Sequence, residues 1–220
     1  MLLILLFQIA SFTAATNTDS EVIAKYLSAV RMLEEDRRSS DVEVTIQARL
    51  PKLSREATVR AVRTTSATGA IRYEIRDASG DAMVRREVIA RYLAATSQTR
   101  TMDEVSITPS LYRFRLLRTM GLSHQIYVFR LTPKKKKVGL FKGELWVDGL
   151  TGRPVHESGQ FVKNPSIFIK RIFFSRDYGT ESASGLPACI HSTVETHIAG
   201  PAELTIRISD TAEAEARNAD

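Results

Sequence analysis

The chain has 220 residues, of which 43% are hydrophobic and 25% are charged, and its formal net charge is +6 at pH 7. These values are ordinary for one globular domain that buries a core. The single cysteine, Cys189, excludes an internal disulfide, so the core has to hold the fold. A basic surface of this size suits phosphate-bearing partners such as lipid headgroups.

The first fifteen residues have the features of a secretory signal peptide. An apolar run from Met1 to Phe12 is followed by the small residues Thr13, Ala14 and Ala15 at the expected cleavage positions. The run is too short to span a bilayer, and a buried N-terminal helix is the alternative interpretation. We therefore predict a signal peptide at 1–15, one domain at 16–210 and a polar tail at 211–220.

Two segments have helical spacing of their apolar residues. The first, SEVIAKYLSAVRMLEEDRRS, places Val22, Tyr26 and Leu33 on one stripe, and Ser20 or Asp19 is its expected N-cap. The second, DAMVRREVIARYLAAT, has its apolar stripe after Asp81, which is the expected cap. Between these helices the sequence predicts strands at DVEVTIQARL, REATVRAVR and AIRYEIRD, the last with its two isoleucines and Tyr73 facing inward.

The remainder of the chain is a series of alternating strands. Apolar and polar residues alternate in LYRFRLLR, QIYVFRL, GLFKGELWVD, IFIKRIFFSRDY, ACIHSTVETHI and AELTIRIS. Short turns link these strands, which favours an antiparallel sheet. Each strand has one apolar face, so the sheet covers a core on one side and meets water on the other.

These elements predict an α+β fold. A large twisted antiparallel sheet has to curl, and two amphipathic helices are suited to fill its concave side. We therefore expect a curved sheet that forms an open half-barrel, with two helices packed on its concave face. A β-sandwich is the main alternative, but it leaves the apolar stripes of the helices without a partner.

The segment LFKGELWVDGLTGRPVHESGQFVKNPSIFIKRIFF resembles a known family. A strand that ends in Asp148 is followed by the turn Thr151, Gly152 and Pro154, and a second strand returns. Together with the signal peptide and the first helix, this pattern is similar to bacterial periplasmic proteins of the outer-membrane lipoprotein-sorting, or lipoprotein-carrier, type. The resemblance extends over most of residues 20–210, and ELTIRISD resembles a closing strand of such sheets.

The resemblance implies a periplasmic carrier or chaperone that is not an enzyme. Its concave apolar face would bind an acyl chain of a lipid or a lipoprotein, which gains roughly 0.8 kcal/mol per methylene removed from water. The candidate lining consists of Phe114, Tyr127, Phe129, Phe141, Leu145, Phe168 and Ile172. The alternative is that these residues are ordinary core. The protein would then be an interaction or envelope-stress sensor domain with a filled core and a protein partner.

The lysine run Lys134–Lys137 is the most basic segment of the chain. It falls between two predicted strands, at a loop tip. We expect either contact of Lys134, Lys135, Lys136 and Lys137 with anionic headgroups or a solvated turn that discourages edge-to-edge pairing of sheets. The membrane surface and an envelope protein are further candidate partners. Nucleic acid is not a predicted partner, because a secreted protein would rarely meet it.

Motifs for catalysis or metal binding are absent from the sequence. There is no nucleophile elbow, phosphate-binding loop or dinucleotide fingerprint. Cys189, His191, Glu195 and His197 share a predicted strand face, but alternate residues lie about 6.6 Å apart, which is too wide for one tetrahedral ion. No cofactor is predicted. His156 has no predicted partner, and Trp146 falls on the charged outer face, where it marks a candidate partner-binding patch.

Overall fold

The computed structural model describes residues 7–36, 40–97, 105–122, 124–179, 185–197 and 200–210, without the side chains of 7–18 and 210. The helices are α1 (Phe7–Asp36) and α2, which joins Ala82–Val84, a π turn at Arg85–Ile89 and Ala90–Ser97. The strands are β1 (Ser40–Leu50), β2 (Arg55–Thr65), β3 (Ile71–Gly80), β4 (Tyr112–Met120), β5 (Ile126–Pro133), β6 (Phe141–Asp148), β7 (Pro154–Phe161), β8 (Ile169–Asp177), β9 (Cys189–Thr196) and β10 (Pro201–Asp210).

All ten strands form one antiparallel sheet in the order β3-β2-β1-β10-β9-β8-β7-β6-β5-β4. Each strand pairs with its neighbour in the sequence, except that β1 pairs with β10 and β3 does not pair with β4. The described strands therefore leave β3 and β4 as free edges, and the sheet stays open. The predicted α+β half-barrel is confirmed.

An aliphatic core fills the concave side of β1, β2, β9 and β10 under α2. Ala48 and Ala57 are buried on adjacent strands, and their small side chains let the α2 backbone lie close to β1 and β2. Valine, isoleucine and leucine supply the rest of the volume. The aliphatic core consists of Val42, Val44, Ile46, Ala48, Leu50, Ala57, Val59, Val84, Ile89, Leu186, Ala202, Leu204 and Ile206.

An aromatic core fills the other half of the concave side, over β4 to β8. Here the stripe of α1, with Val22 and Tyr26 fully covered, packs on rings that project from the sheet. The buried members of the aromatic core are Val22, Tyr26, Tyr112, Phe129, Leu131, Leu140, Phe141, Leu145, Val147 and Phe174. Five phenylalanines belong to it or pack against it, and they are Phe114, Phe129, Phe141, Phe161 and Phe174.

The two helix starts differ from each other in how well the sequence predicts them. The Asp81 carboxylate accepts hydrogen bonds from the backbone N–H groups of Met83 and Val84, at 2.9 and 3.0 Å, so the predicted cap of α2 is confirmed. The predicted cap of α1 at Ser20 or Asp19 is wrong, because α1 is continuous from Phe7 through these positions. Among the described helices, none is long and apolar enough to cross a membrane.

One inward-facing prediction fails on the edge strand β3. Tyr73 packs against the aliphatic core as expected, but Ile75 is 58% exposed. Ile75 pairs with the fully buried Ala61 and so shares its face of the sheet, and its exposure follows from its place on the edge strand. The predicted polar tail at 211–220 and residues 1–6 of the predicted signal peptide lie outside the described residues.

Candidate functional site

The aromatic core forms a continuous set of ring contacts on the concave face. The Phe141 ring lies 4.8 Å from Phe174, edge to face, and 5.6 Å from Tyr112. Phe161 extends the set from Phe174 at 5.0 Å, and Phe114 meets Phe129 at 6.2 Å. Such a surface offers a large apolar area with few polar atoms, which is the property that an acyl chain requires.

One helix, α1, covers this aromatic surface from the solvent side. The turn between β6 and β7 supports the helix, because a Cβ atom at Gly152 would come within 2.6 Å of the Lys25 backbone. Gly152 also has a φ angle of +72°, which favours glycine. Any other residue at Gly152 would push the turn away from α1.

The Asp148 carboxylate holds that turn together. It accepts hydrogen bonds from the N–H groups of Leu150 and Thr151 and from the Thr151 hydroxyl, at 2.7 to 3.0 Å, and it contacts the His124 ring. Burial raises the pKa of Asp148, but the bonds from Thr151 and His124 outweigh burial and hold the pKa below its usual value. Asp148 is therefore an ionised turn residue, as the sequence predicts.

Most of the predicted lining residues lie on or near the aromatic core. Phe129, Phe141 and Leu145 are fully buried in it, and Phe114 and Tyr127 are half-buried and packed against it. Ile172 is half-buried but belongs to neither core. The structure thus brings five of the seven candidates together under α1.

Phe168 does not lie where alternation predicts. Its side chain is 62% exposed, because the residue precedes β8 in a turn and β8 has an irregular register between Ile169 and Arg171. The Phe168 backbone N–H donates to the Ser166 hydroxyl at 3.3 Å, which holds it in that turn. Phe168 is therefore corrected from the concave lining to the outer surface.

A partly buried ion pair lies beside the aromatic core, and no local sequence pattern predicts it. Glu157 on β7 faces Arg176 on β8, and the Arg176 guanidinium donates to the Glu157 carboxylate at 2.9 Å. The Tyr178 hydroxyl donates to the other carboxylate oxygen at 2.8 Å. Burial lowers the pKa of Arg176, but the charge of Glu157 outweighs it and raises that pKa overall, so the guanidinium stays charged.

The tyrosines around the ion pair are neutral at ordinary pH. Burial raises the pKa of Tyr26 well above its usual value, and it raises the pKa of Tyr92 and Tyr112 to about 12. Tyr92 lies within electrostatic range of both Arg176 and Arg63. The polar centre between the two cores thus carries phenol groups and two guanidinium groups, with Glu157 as the acid.

Arg63 is a second buried cation on the concave face. It is 9% exposed, follows Ala57, Val59 and Ala61 along the buried face of β2, and its Nη1 atom has no hydrogen-bond partner in the described part of the chain. A buried guanidinium N–H without an acceptor is unfavourable. This N–H would therefore suit an anionic group at the end of an apolar ligand.

The apolar stripes of the helices pack directly on the two cores. A groove of about 490 Å³ lies along α1, beside the turn that joins β6 to β7. Its walls are Glu21, Ala24, Lys25, Ser28, Ala29, Met32, Leu33, Asp36, Thr151 and Arg153. An acyl chain could therefore reach the aromatic core only by taking the place of the α1 stripe.

The outer face of the sheet has a separate cluster around Trp146, on the predicted face. The Trp146 ring lies 5.1 Å from the His156 ring and 5.5 Å from the Arg118 guanidinium. The sequence predicts no partner for His156, but its Nδ1 atom lies 2.6 Å from the Asp177 carboxylate. Alternation could not reveal this pair, since it depends on the register of β7 with β8.

The chemistry of Cys189 does not indicate a nucleophile. Its Sγ atom lies 3.3 Å from His191 Nε2, but burial raises the pKa of the thiol, so the reactive thiolate is disfavoured. His191 contacts the Thr205 hydroxyl at 3.2 Å with its other ring nitrogen. Among the described residues, no group of three or more His, Cys, Asp or Glu side chains is arranged to hold a metal ion.

The solved structures that this chain is similar to include proteins of the kind that the sequence resembles. A LolA superfamily protein from Nitrosomonas europaea is 17% identical, with 84% of this chain and 91% of that chain covered and a TM-score of 0.38. A domain from Vibrio parahaemolyticus described as outer membrane lipoprotein-sorting is 12% identical, with 84% and 90% covered and a TM-score of 0.36.

A third neighbour is the MucA/MucB complex of Pseudomonas aeruginosa. It is 14% identical, with 87% of this chain and 96% of that chain covered, at a TM-score of 0.29. No protein-family model matches the sequence. No curated protein matches it either.

Proposed function

We propose that this protein is a non-catalytic periplasmic carrier or chaperone that binds an acyl chain against the aromatic core. The observation that carries the proposal is the gathering of five phenylalanines in the half of the concave face that α1 covers. The described part of the aliphatic core contains no phenylalanine. An acyl chain would replace the apolar stripe of α1. The apolar surface of the sheet that the helix leaves would then be covered by the ligand.

The polar centre gives the ligand an orientation. The anionic end of a fatty acid would lie near Arg63, whose Nη1 atom has no hydrogen-bond partner in the described part of the chain, while the hydrocarbon extends over the phenylalanines. The signal peptide, the domain at 16–210 and the periplasmic location belong to the same proposal. They agree with a ligand that has to cross the space between two membranes.

Quenching by a bromine-labelled fatty acid tests where the chain binds. In a Trp146→Phe background, Phe114→Trp places the only tryptophan against the aromatic core, and Met83→Trp places it against the aliphatic core, away from the Arg63 pairing partner Tyr73. Both positions are half-buried, so each accepts the larger ring. We expect saturable quenching at micromolar ligand for Phe114→Trp alone. Equal quenching of both, or of neither, would contradict the proposed site.

A protein-binding function is the second candidate, and the filled concave face favours it. If α1 stays in place, the molecule would act through its surface, and the cluster of Trp146, Arg118 and His156 is an aromatic patch for such a partner. Lipid analysis of the purified protein separates the two. Co-purified acyl chains support the carrier, whereas lipid-free protein that also ignores added fatty acid supports the binding domain.

A further inference from the structure

Two loops at one end of the sheet lie side by side. The loop from β5 to β6 carries the exposed lysines Lys134–Lys137, and the loop from β7 to β8 carries Ile167 and Phe168. The backbone N–H of Val162 donates to the Leu140 carbonyl at 2.9 Å, which joins the two loops. We call Lys134–Lys137, Lys163, Ile167 and Phe168 the docking rim.

The apolar part of the docking rim is displayed in an ordered turn. Ile167 is 85% exposed and Phe168 is 62% exposed, and they are neighbours in the sequence. The side-chain amide of Asn164 donates to the carbonyls of Ile169 and Lys170, at 2.8 and 3.0 Å, so the turn is fixed beneath them. Two large apolar side chains are thus held in water, which is unfavourable unless a partner covers them.

The charged part of the docking rim has one sign. The segments 134–142 and 162–171 contain eight lysine and arginine residues and no aspartate or glutamate. Lys134, Lys135, Lys136 and Lys137 are all exposed. Lysine carries a compact charge without a preferred geometry, so a run of lysines matches a diffuse anionic surface better than one shaped pocket.

We propose that the docking rim binds the surface of an anionic phospholipid bilayer. The lysines would contact the headgroups, and Ile167 and Phe168 would enter the boundary between headgroups and acyl chains. Because the rim lies at a loop end of the sheet, docking leaves the concave face accessible. The proposal goes beyond acyl-chain binding and does not depend on it, since the two use different residues.

Co-sedimentation of the purified protein with vesicles tests the docking rim. We expect binding to vesicles of phosphatidylglycerol and phosphatidylethanolamine, little binding to phosphatidylcholine, and a decrease as salt is added. A lysine near such a surface is worth about fivefold in partitioning, so replacement of Lys134–Lys137 by glutamine should weaken binding by at least about tenfold. Ile167→Ser with Phe168→Ser should weaken it by roughly tenfold, also in high salt.

Two matched controls distinguish binding through the docking rim from nonspecific adsorption to the vesicles. Leu122→Ser with Leu150→Ser removes two apolar residues, 102% and 77% exposed, from turns at the opposite end of the strands. Replacement of Arg49, Arg55, Arg60 and Arg76 by glutamine removes the same charge from the β1 to β3 region. Both controls should bind the vesicles as the parent does.

Several results would overturn the proposal. These are a parent protein that ignores the anionic vesicles, rim variants that bind as the parent does, and controls that lose as much binding as the rim variants. Rim variants that keep vesicle binding but lose binding to an acidic polypeptide would indicate a protein partner instead. Fatty-acid binding, measured on the same variants without vesicles, should be unchanged, so a failure of the carrier proposal is seen separately.

Discussion

The two halves of the concave face bury their helices in different ways. Under α2, small and branched side chains such as Ala48, Ala57 and Ile46 bring the helix backbone against the strands. Under α1, rings such as Phe129 and Phe141 fill the space between helix and sheet. Close packing of small side chains suits a permanent scaffold, whereas a layer of rings keeps its apolar character when the helix above it is exchanged for a ligand.

The outer face shows a parallel contrast. On β1, β2 and β3 the arginines are matched by acids, as in the pairs Arg49–Glu56 and Arg60–Asp77. On β4 and β5, Arg115 lies directly opposite Arg130 in the ladder. The α1 side also has ion pairs, such as Arg118–Glu144, so the two halves differ at the like-charge contact of Arg115 with Arg130. On the proposed function, the acyl chain belongs to the α1 side and the scaffold to the α2 side.

The largest expected effect comes from Phe141→Ala. Truncation of this buried ring should lower the free energy of unfolding by about 3–5 kcal/mol. If the aromatic core accepts an acyl chain, saturating fatty acid should restore part of that loss by filling the cavity. Urea unfolding with and without fatty acid measures both quantities.

Ile46→Ala is the matched variant in the aliphatic core, where we expect a loss of about 2–5 kcal/mol that fatty acid does not restore. Equal recovery of the two variants would show that the halves do not differ in ligand binding. Recovery of Ile46→Ala alone would reverse the assignment of the two halves.

The next effect concerns the partly buried ion pair on the α1 side. Glu157→Gln leaves the half-buried guanidinium of Arg176 without a carboxylate and should cost roughly 2 kcal/mol in unfolding free energy. The double variant Glu157→Leu with Arg176→Met removes both charges and should lie within about 1 kcal/mol of the parent. A double variant that is less stable than Glu157→Gln would show that the attraction within the ion pair exceeds the free-energy cost of desolvating it.

Local sequence patterns predicted the strands, the sheet class and the Asp81 cap because each depends on residues close together in the chain. The pairs Glu157–Arg176 and His156–Asp177 could not be predicted in this way, since they depend on the register between β7 and β8. Strict alternation did not predict the exposure of Ile75, which lies on the edge strand β3, or that of Phe168, which lies in the turn before β8.

Asp148→Ala should loosen the turn that supports α1. Loss of hydrogen bonds to a charged acceptor should cost about 2 kcal/mol at neutral pH. The folded pKa of Asp148 lies below the unfolded value of about 3.9, so its contribution is complete above about pH 5 and is lost as the pH falls through the folded pKa. The difference in stability between parent and variant should therefore narrow in acid. A difference that widens in acid would contradict this assignment.

Asp81→Ala tests the helix of the other half. It removes the acceptor for the N–H groups of Met83 and Val84 and should cost about 1 kcal/mol. Because α2 belongs to the scaffold half, the variant should bind fatty acid with unchanged affinity. If the fully folded variant binds fatty acid more weakly than the parent does, α2 also takes part in the ligand site.

The smallest expected effects come from charge substitutions on the outer face. There the sign of the change in unfolding free energy distinguishes the two halves of the sheet. Arg115→Gln removes a like-charge contact with Arg130 and should raise the free energy of unfolding by about 0.2–1 kcal/mol in low salt. Arg60→Gln breaks an exposed pair with Asp77 and should lower it by at most about 1 kcal/mol. Salt should reduce both effects, since both are electrostatic.

A stabilising Arg115→Gln would mean that the α1 side retains a positive face at the expense of stability, as expected where an anionic partner binds. A destabilising result would make that face part of the scaffold.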